Sequence, residues 1–104
     1  MKEQYLALLL SLQENDGATL KRGKTVNYKT GWQVADFGIE TKSAMEAAEK
    51  IMEMNGSCGI WYSEGIYYID HSFRIKTKKE ALAIGRAHNQ ISILKWETME
   101  LVYC

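Results

Sequence analysis

The sequence predicts an α+β domain built on a mainly antiparallel sheet with its helices on one face. Three features carry that expectation. Two capping boxes, Ser43 with Glu46 and Thr77 with Glu80, each open a short amphipathic stretch. Segments with a two-residue hydrophobic period flank each stretch. A weak internal repeat relates FGIETK at 37–42 to FRIKTK at 73–78: a strand end, then Thr-Lys, then a helix. Two strand–helix–strand units give β-α-β-β-α-β, the split β-α-β or ferredoxin-like pattern. An N-terminal helix and a C-terminal hairpin would extend it.

The elements follow in order. Residues 2–14 read as a helix, with Tyr5, Leu8, Leu9 and Leu12 at helical spacing and Leu6 and Leu10 widening the stripe. Asn15, Asp16 and Gly17 stop it. Residues 18–31 are basic and polar, with KRGK as a turn and TVNY as a short strand. The next strand carries Trp32, Val34, Phe37 and Ile39 inward, and its broken alternation predicts a bulge near Ala35 and Asp36. A helix over 44–54 would bury Met45, Ala48, Ile51 and Met52, and Asn55 and Gly56 close it. Residues 58–63 and 66–76 form a hairpin about Ser63, Glu64 and Gly65. The odd positions of the return strand, Tyr67 to Ile75, face the interior, and most even positions face out. A helix over 78–88 turns Ala81, Ile84, Gly85 and Ala87 or His88 inward. Gly85 costs about 1 kcal/mol against Ala in a helix, so close helix–sheet contact is its expected reason. Asn89 caps that helix. ISILKW and TMELVY then pair through Lys95, Trp96 and Glu97 as the terminal hairpin.

The 104 residues suit one domain. Lys plus Arg and Asp plus Glu both number 13, so the net charge is zero. That balance argues against a general polyanion binder and equally against an acidic nucleic-acid mimic. Cys58 and Cys104 do not make a disulfide framework. The apolar run YLALLLSL is too short to span a bilayer and lacks a signal-peptide cleavage site. The expectation is a cytoplasmic protein with reduced thiols.

Asp70, His71 and Ser72 invite a hydrolase reading, which strand geometry opposes. Neighbours on a strand point to opposite faces, so the three side chains do not converge. No Cys-x-x-Cys or His-x-x-x-His spacing occurs, and no glycine loop matches a phosphate cradle. No catalytic residue, metal or cofactor is expected, and Cys58 reads as a small buried apolar residue. The hairpin at 58–76 is the distinctive surface, because Tyr68, Asp70, Arg74 and Lys76 share its outward face. The C-terminal hairpin adds Trp96, Met99, Leu101 and Tyr103 as exposed apolar candidates. As a sheet edge it could pair with a partner strand or a second copy, giving a homodimer. The alternative reading is a small nucleic-acid-binding module. It would stack bases on the open sheet face and contact phosphate through Lys21, Arg22, Lys24, Lys78 and Lys79.

GIWYSEGIYYIDHSF followed by ALAIGRAHNQISI resembles small proteins of bacteriophages and integrative elements. The matching residues are Gly59, Trp61, Gly65, Tyr68, Ile69, Asp70 and Ser72, then Ala83, Ile84, Gly85, Asn89, Gln90, Ser92 and Ile93. The resemblance covers roughly residues 31 to 96. Such phage accessory proteins include stoichiometric inhibitors of host defences such as CRISPR nucleases. The resemblance therefore implies a non-enzymatic, anti-CRISPR-like protein that binds a host protein in the bacterial cytoplasm. It assigns no catalytic residues.

Overall fold

The computed structural model describes residues 2–104. Three helices and seven strands follow in the order α1 (Lys2–Ser11), β1 (Asp16–Lys21), β2 (Lys24–Thr25), β3 (Trp32–Thr41), α2 (Ala44–Glu53), β4 (Cys58–Ser63), β5 (Ile66–Ile75), α3 (Lys78–Ala87), β6 (Ser92–Lys95) and β7 (Glu100–Tyr103). The strands form one antiparallel sheet in the order β2-β1-β4-β5-β3-β6-β7. It is an open α+β sheet.

Local chemistry sets the boundaries. Ser43 Oγ accepts from the Glu46 amide and Thr77 Oγ1 from the Glu80 amide, so both N-caps form, but the Ser43 amide donates to Thr41 Oγ1 and not to the Glu46 carboxylate that a full capping box would use. Glu64 (φ 52°) and Gly65 (φ 77°) make a two-residue turn that sets Ser63 opposite Ile66. Arg22 and Gly23 do the same for β1 and β2. β3 bulges between Ala35 and Phe37, as the broken alternation predicted. Asn89 ends α3 with φ 56°. A Cβ on Gly85 would lie 2.7 Å from Cys104 Sγ and 3.2 Å from Ile93 Cγ2, which is the close helix–sheet contact expected there.

The odd positions of β5 look toward the helices. Tyr67 and Ile69 are buried with Tyr5 and Leu9 of α1 and with Ala47, Ala48 and Ile51 of α2. Phe73 and Ile75 pack with Val34, Ala81 and Ile93 in a smaller cluster under α3. All three helices therefore cover one face of the sheet.

Several elements differ from expectation. α1 ends at Ser11, and Leu10 is exposed because the helix presents only Tyr5, Leu9 and their neighbours to the sheet. Residues 16–21 form a strand, because their backbone pairs with β4 even though Gly17 and Thr19 give it no apolar alternation. TVNY is not a strand, and only Lys24 and Thr25 pair. α2 is rotated from the expected stripe: Ala47, Ala48 and Ile51 are buried and Met45 and Met52 exposed. Two adjacent alanines let the helix approach α1 and the sheet more closely than methionines would. Ala87 and His88 are exposed at the end of α3.

Candidate binding face

The face of the sheet opposite the helices carries the even positions of β5, and its strand-by-strand composition makes it concave. Gly17 and Thr19 come from β1, Gly59 and Trp61 from β4, Asp70 and Ser72 from β5, and Gln33 and Ala35 from β3. Glycine, alanine and serine leave the backbone as a floor. The result is a trough of about 1170 Å³ across the face. Trp61 stands over Gly17, where an added Cβ would come within 2.9 Å of the indole. Trp61 is 46% exposed. Leu94, Met99 and Leu101 form the opposite rim with Asn89, Gln90 and Ile91. Asp70 is the only charged side chain in the lining, and the rest of its polar groups are amides and hydroxyls.

A strap closes one end of the trough. Residues 26–31 leave β2 and cross the sheet before β3. Tyr28 packs edge-on against Trp96, with centroids 5.5 Å apart. The Arg74 guanidinium lies over the Tyr28 ring, 5.2 Å from its centroid. Arg74 Nε donates to the Thr30 carbonyl at 2.9 Å and Nη2 to Thr30 Oγ1 at 3.0 Å. Gly31 (φ 90°) lets the chain turn there, since a Cβ would sit 2.7 Å from Arg74 Nε. Beneath the strap, Trp96 Nε1 donates to Gln33 Oε1 and Gln33 Nε2 donates to Ser72 Oγ, both at 3.0 Å. This chain ties the β6–β7 loop to β3 and β5 across the floor.

The expected site residues are thus divided. Asp70 lines the trough, and Tyr68 stands beside it, paired across the strands with Trp61 and Glu40. Arg74 lies six residues beyond Tyr68 along β5, about 20 Å away at strand spacing, and the strap engages its guanidinium. Lys76 is exposed just past the end of β5. Tyr68, Arg74 and Lys76 therefore do not stand together in solvent. Trp96, expected on an exposed hairpin, is only 4% exposed, because its indole fills the space under Tyr28 and its N–H is taken by Gln33. The basic residues are dispersed as well. Lys21, Arg22 and Lys24 lie on the β1–β2 hairpin, and Lys78 and Lys79 begin α3. Lys78 Nζ lies 5.9 Å over the Trp32 ring.

Asp70, His71 and Ser72 separate as strand alternation requires. His71 lies on the helix-bearing side, with Nδ1 2.8 Å from Asp36 Oδ1 and its ring stacked on Phe37. Ser72 lies under the strap with Gln33. Asp36, the residue carried out of register by the bulge, is the partner that sequence spacing did not reveal. Burial pushes the Cys58 thiol up to about 12, with the Asp70 charge adding to the effect. A buried thiol of that kind is a poor nucleophile. The Asp70 carboxyl is raised above its usual range, first by desolvation and then by Glu40. Asp70 is exposed as a whole residue, but its Oδ1 lies against the Gly38 backbone, so the desolvation is partial. Among the described residues no group of His, Cys, Asp and Glu is placed to hold a metal ion. Among them also, no helix is long and apolar enough to cross a membrane.

Compared with known proteins, the chain matches no family model, no curated sequence and no solved structure.

Proposed function

We propose that this chain is a non-enzymatic binding protein that presents the open end of its trough to a host protein and blocks that protein stoichiometrically. The observation that carries the reading is the trough itself. It is a sheet face left bare of helices, floored by small residues, rimmed by Trp61 and Leu101, and lined by amides and hydroxyls with one carboxylate. Amides and hydroxyls match the donors and acceptors of a peptide backbone, and an exposed indole beside a groove is a typical anchor for a protein partner. A lining without Lys or Arg disfavours nucleic acid there, since phosphate contacts would supply most of that affinity. The inner strands, β4-β5-β3-β6 with α2 and α3 between them in sequence, support a split β-α-β, ferredoxin-like reading of the scaffold. The bacteriophage resemblance supplies the partner class: a host defence nuclease of the CRISPR kind, met in the bacterial cytoplasm.

The test is a titration of a CRISPR nuclease with the wild type and with a Trp61→Ala/Asp70→Lys double variant, reading complex mass and DNA cleavage. The wild type should form a complex of fixed stoichiometry and stop cleavage once equimolar. Losing a central anchor of about 2 kcal/mol should weaken the variant roughly 30-fold. Equal inhibition by both proteins would remove the trough from the interface. Full inhibition at a small fraction of equimolar protein would instead mark an enzyme.

A further inference from the structure

The two edges of the sheet are finished in opposite ways. The β2 edge is two residues long, contains Lys24, and turns back at once through Arg22 and Gly23. Short, charged edges resist strand addition. The β7 edge reads Glu-Leu-Val-Tyr, with no proline, no lysine and no bulge. Leu101 is 62% exposed and Tyr103 75% exposed. Among the described residues no further strand pairs with its outer side, and it ends the sheet.

From this edge we infer that the protein forms a two-fold dimer by pairing β7 with β7 of a second copy. The hydrogen-bond phase selects the register. The Cys104 amide donates to the Ile91 carbonyl at 3.0 Å, so the alternation of an antiparallel ladder turns Val102 and Glu100 toward β6. Leu101 and Tyr103 then direct their N–H and C=O groups to the free edge. One symmetric register satisfies all of those groups. With Val102 opposite Val102 of the second copy, each Leu101 exchanges both its bonds with Tyr103 of the other. That register also sets the two exposed apolar side chains against each other on the trough side. It opposes Glu100 to Cys104 and keeps the two glutamates apart. Registers that place Glu100 opposite itself would juxtapose like charges.

The closed β2 edge limits the assembly. A sheet with one receptive edge pairs once and stops, which gives an isologous dimer instead of a filament. The two-fold axis runs through the sheet, so both troughs open on the same side, with Leu101 on the adjoining rims. The inference does not depend on the identity of the host partner.

The experiment is light scattering on the purified chain, followed by cross-linking. The wild type should have the mass of two chains at micromolar concentration. Leu101→Pro removes an outward amide while leaving the β6 ladder intact, and edge strands accept proline. It should shift the protein to one-chain mass and weaken association at least tenfold, with circular dichroism confirming the fold. In a Cys104→Ser background, Val102→Cys should oxidise to a covalent dimer, because non-hydrogen-bonded pairs bring Cα atoms within disulfide range. Leu101→Cys in the same background should cross-link poorly, since it faces Tyr103. A wild type of one-chain mass at about 100 μM, far above the ~10 μM dissociation constant of even a weak specific interface, would overturn the dimer. Cross-linking through Leu101→Cys in preference to Val102→Cys would overturn the register.

Discussion

The sheet is supported from behind in two unequal places. Under α1 and α2, eleven buried residues from two helices and three strands form one cluster, with Leu9, Ile51 and Ile69 wholly inaccessible. Under α3 the buried set is Val34, Ala81 and Ile93, and the residues around it are only partly covered. Four of the five most exposed large apolar side chains lie on the thin side, Leu10 of α1 being the exception. Ile91, Met99, Leu101 and Tyr103 all belong to the β6–β7 end, and the charged, shortened edge belongs to the other. A domain of this size gains stability from whichever region buries most apolar surface. The thick half can therefore hold the fold while the thin half leaves its apolar residues on the surface for contacts with other molecules.

The sharpest way to break this contrast is to truncate one isoleucine in each half. Ile69 is walled by side chains from α1, α2 and the neighbouring strands, so its cavity has no route to collapse. Ile69→Ala should cost about 4 kcal/mol. Ile93 sits beside Gly85 and the half-exposed Val102 and Cys104, which can settle into the space. Ile93→Ala should cost about 2 kcal/mol, near the lower end for such truncations. Urea denaturation of both variants gives the comparison directly. Equal losses would mean that the two clusters are one core energetically.

Legibility in the sequence did not follow this division. The N-caps at Ser43 and Thr77, the 63–66 turn and the alternation of β5 depend on neighbours within a few residues, and local chemistry reports them faithfully. What stayed hidden depends on distant partners. β1 is a strand because β4 accepts it, and its Gly17 and Thr19 give no period of their own. Trp96 looked like an exposed hairpin residue because nothing nearby announces the strap. Its cover comes from Tyr28 and Gln33, more than sixty positions earlier. The bulge at Ala35 was readable, but its consequence, Asp36 turned to His71, was not. The candidate site suffered most. Tyr68 and Arg74 share a face by parity, and the strap then separates them functionally by taking the guanidinium.

That strap offers a second, smaller perturbation. The chain from Trp96 through Gln33 to Ser72 is the polar link between the thin half and β5 on the trough side. Gln33→Leu removes the acceptor of a buried indole N–H and should cost about 2 kcal/mol. Ser72→Ala alone should cost about 1 kcal/mol, because it strands only the Gln33 amide. Combining the two should cost less than their sum, since one network is lost in both. Additive losses in denaturation would show that the link transmits nothing between the halves. An increase in Trp96 exposure, read as a red-shifted emission in Gln33→Leu, would place the damage at the strap.

The smallest effect tests the carboxylate in the trough. Asp70 carries a raised pKa from desolvation first and from Glu40 second, so its proton is held more firmly in the folded chain than in the unfolded one. The sign follows: its contribution favours the fold below the unfolded value near 3.8 and is lost as pH rises through the higher folded value. At neutral pH the ionised group opposes folding slightly, and Asp70→Asn should therefore raise the melting temperature. At about pH 3, where the wild-type carboxyl is protonated, the two proteins should melt together. A partner that reads the carboxylate would reverse the ranking in function, with the more stable Asn variant binding less well, as expected where a site keeps an unfavourable charge for recognition. An unchanged melting temperature at neutral pH would mean that water reaches Asp70 freely, and that the thick half pays nothing for carrying the only charge in the trough.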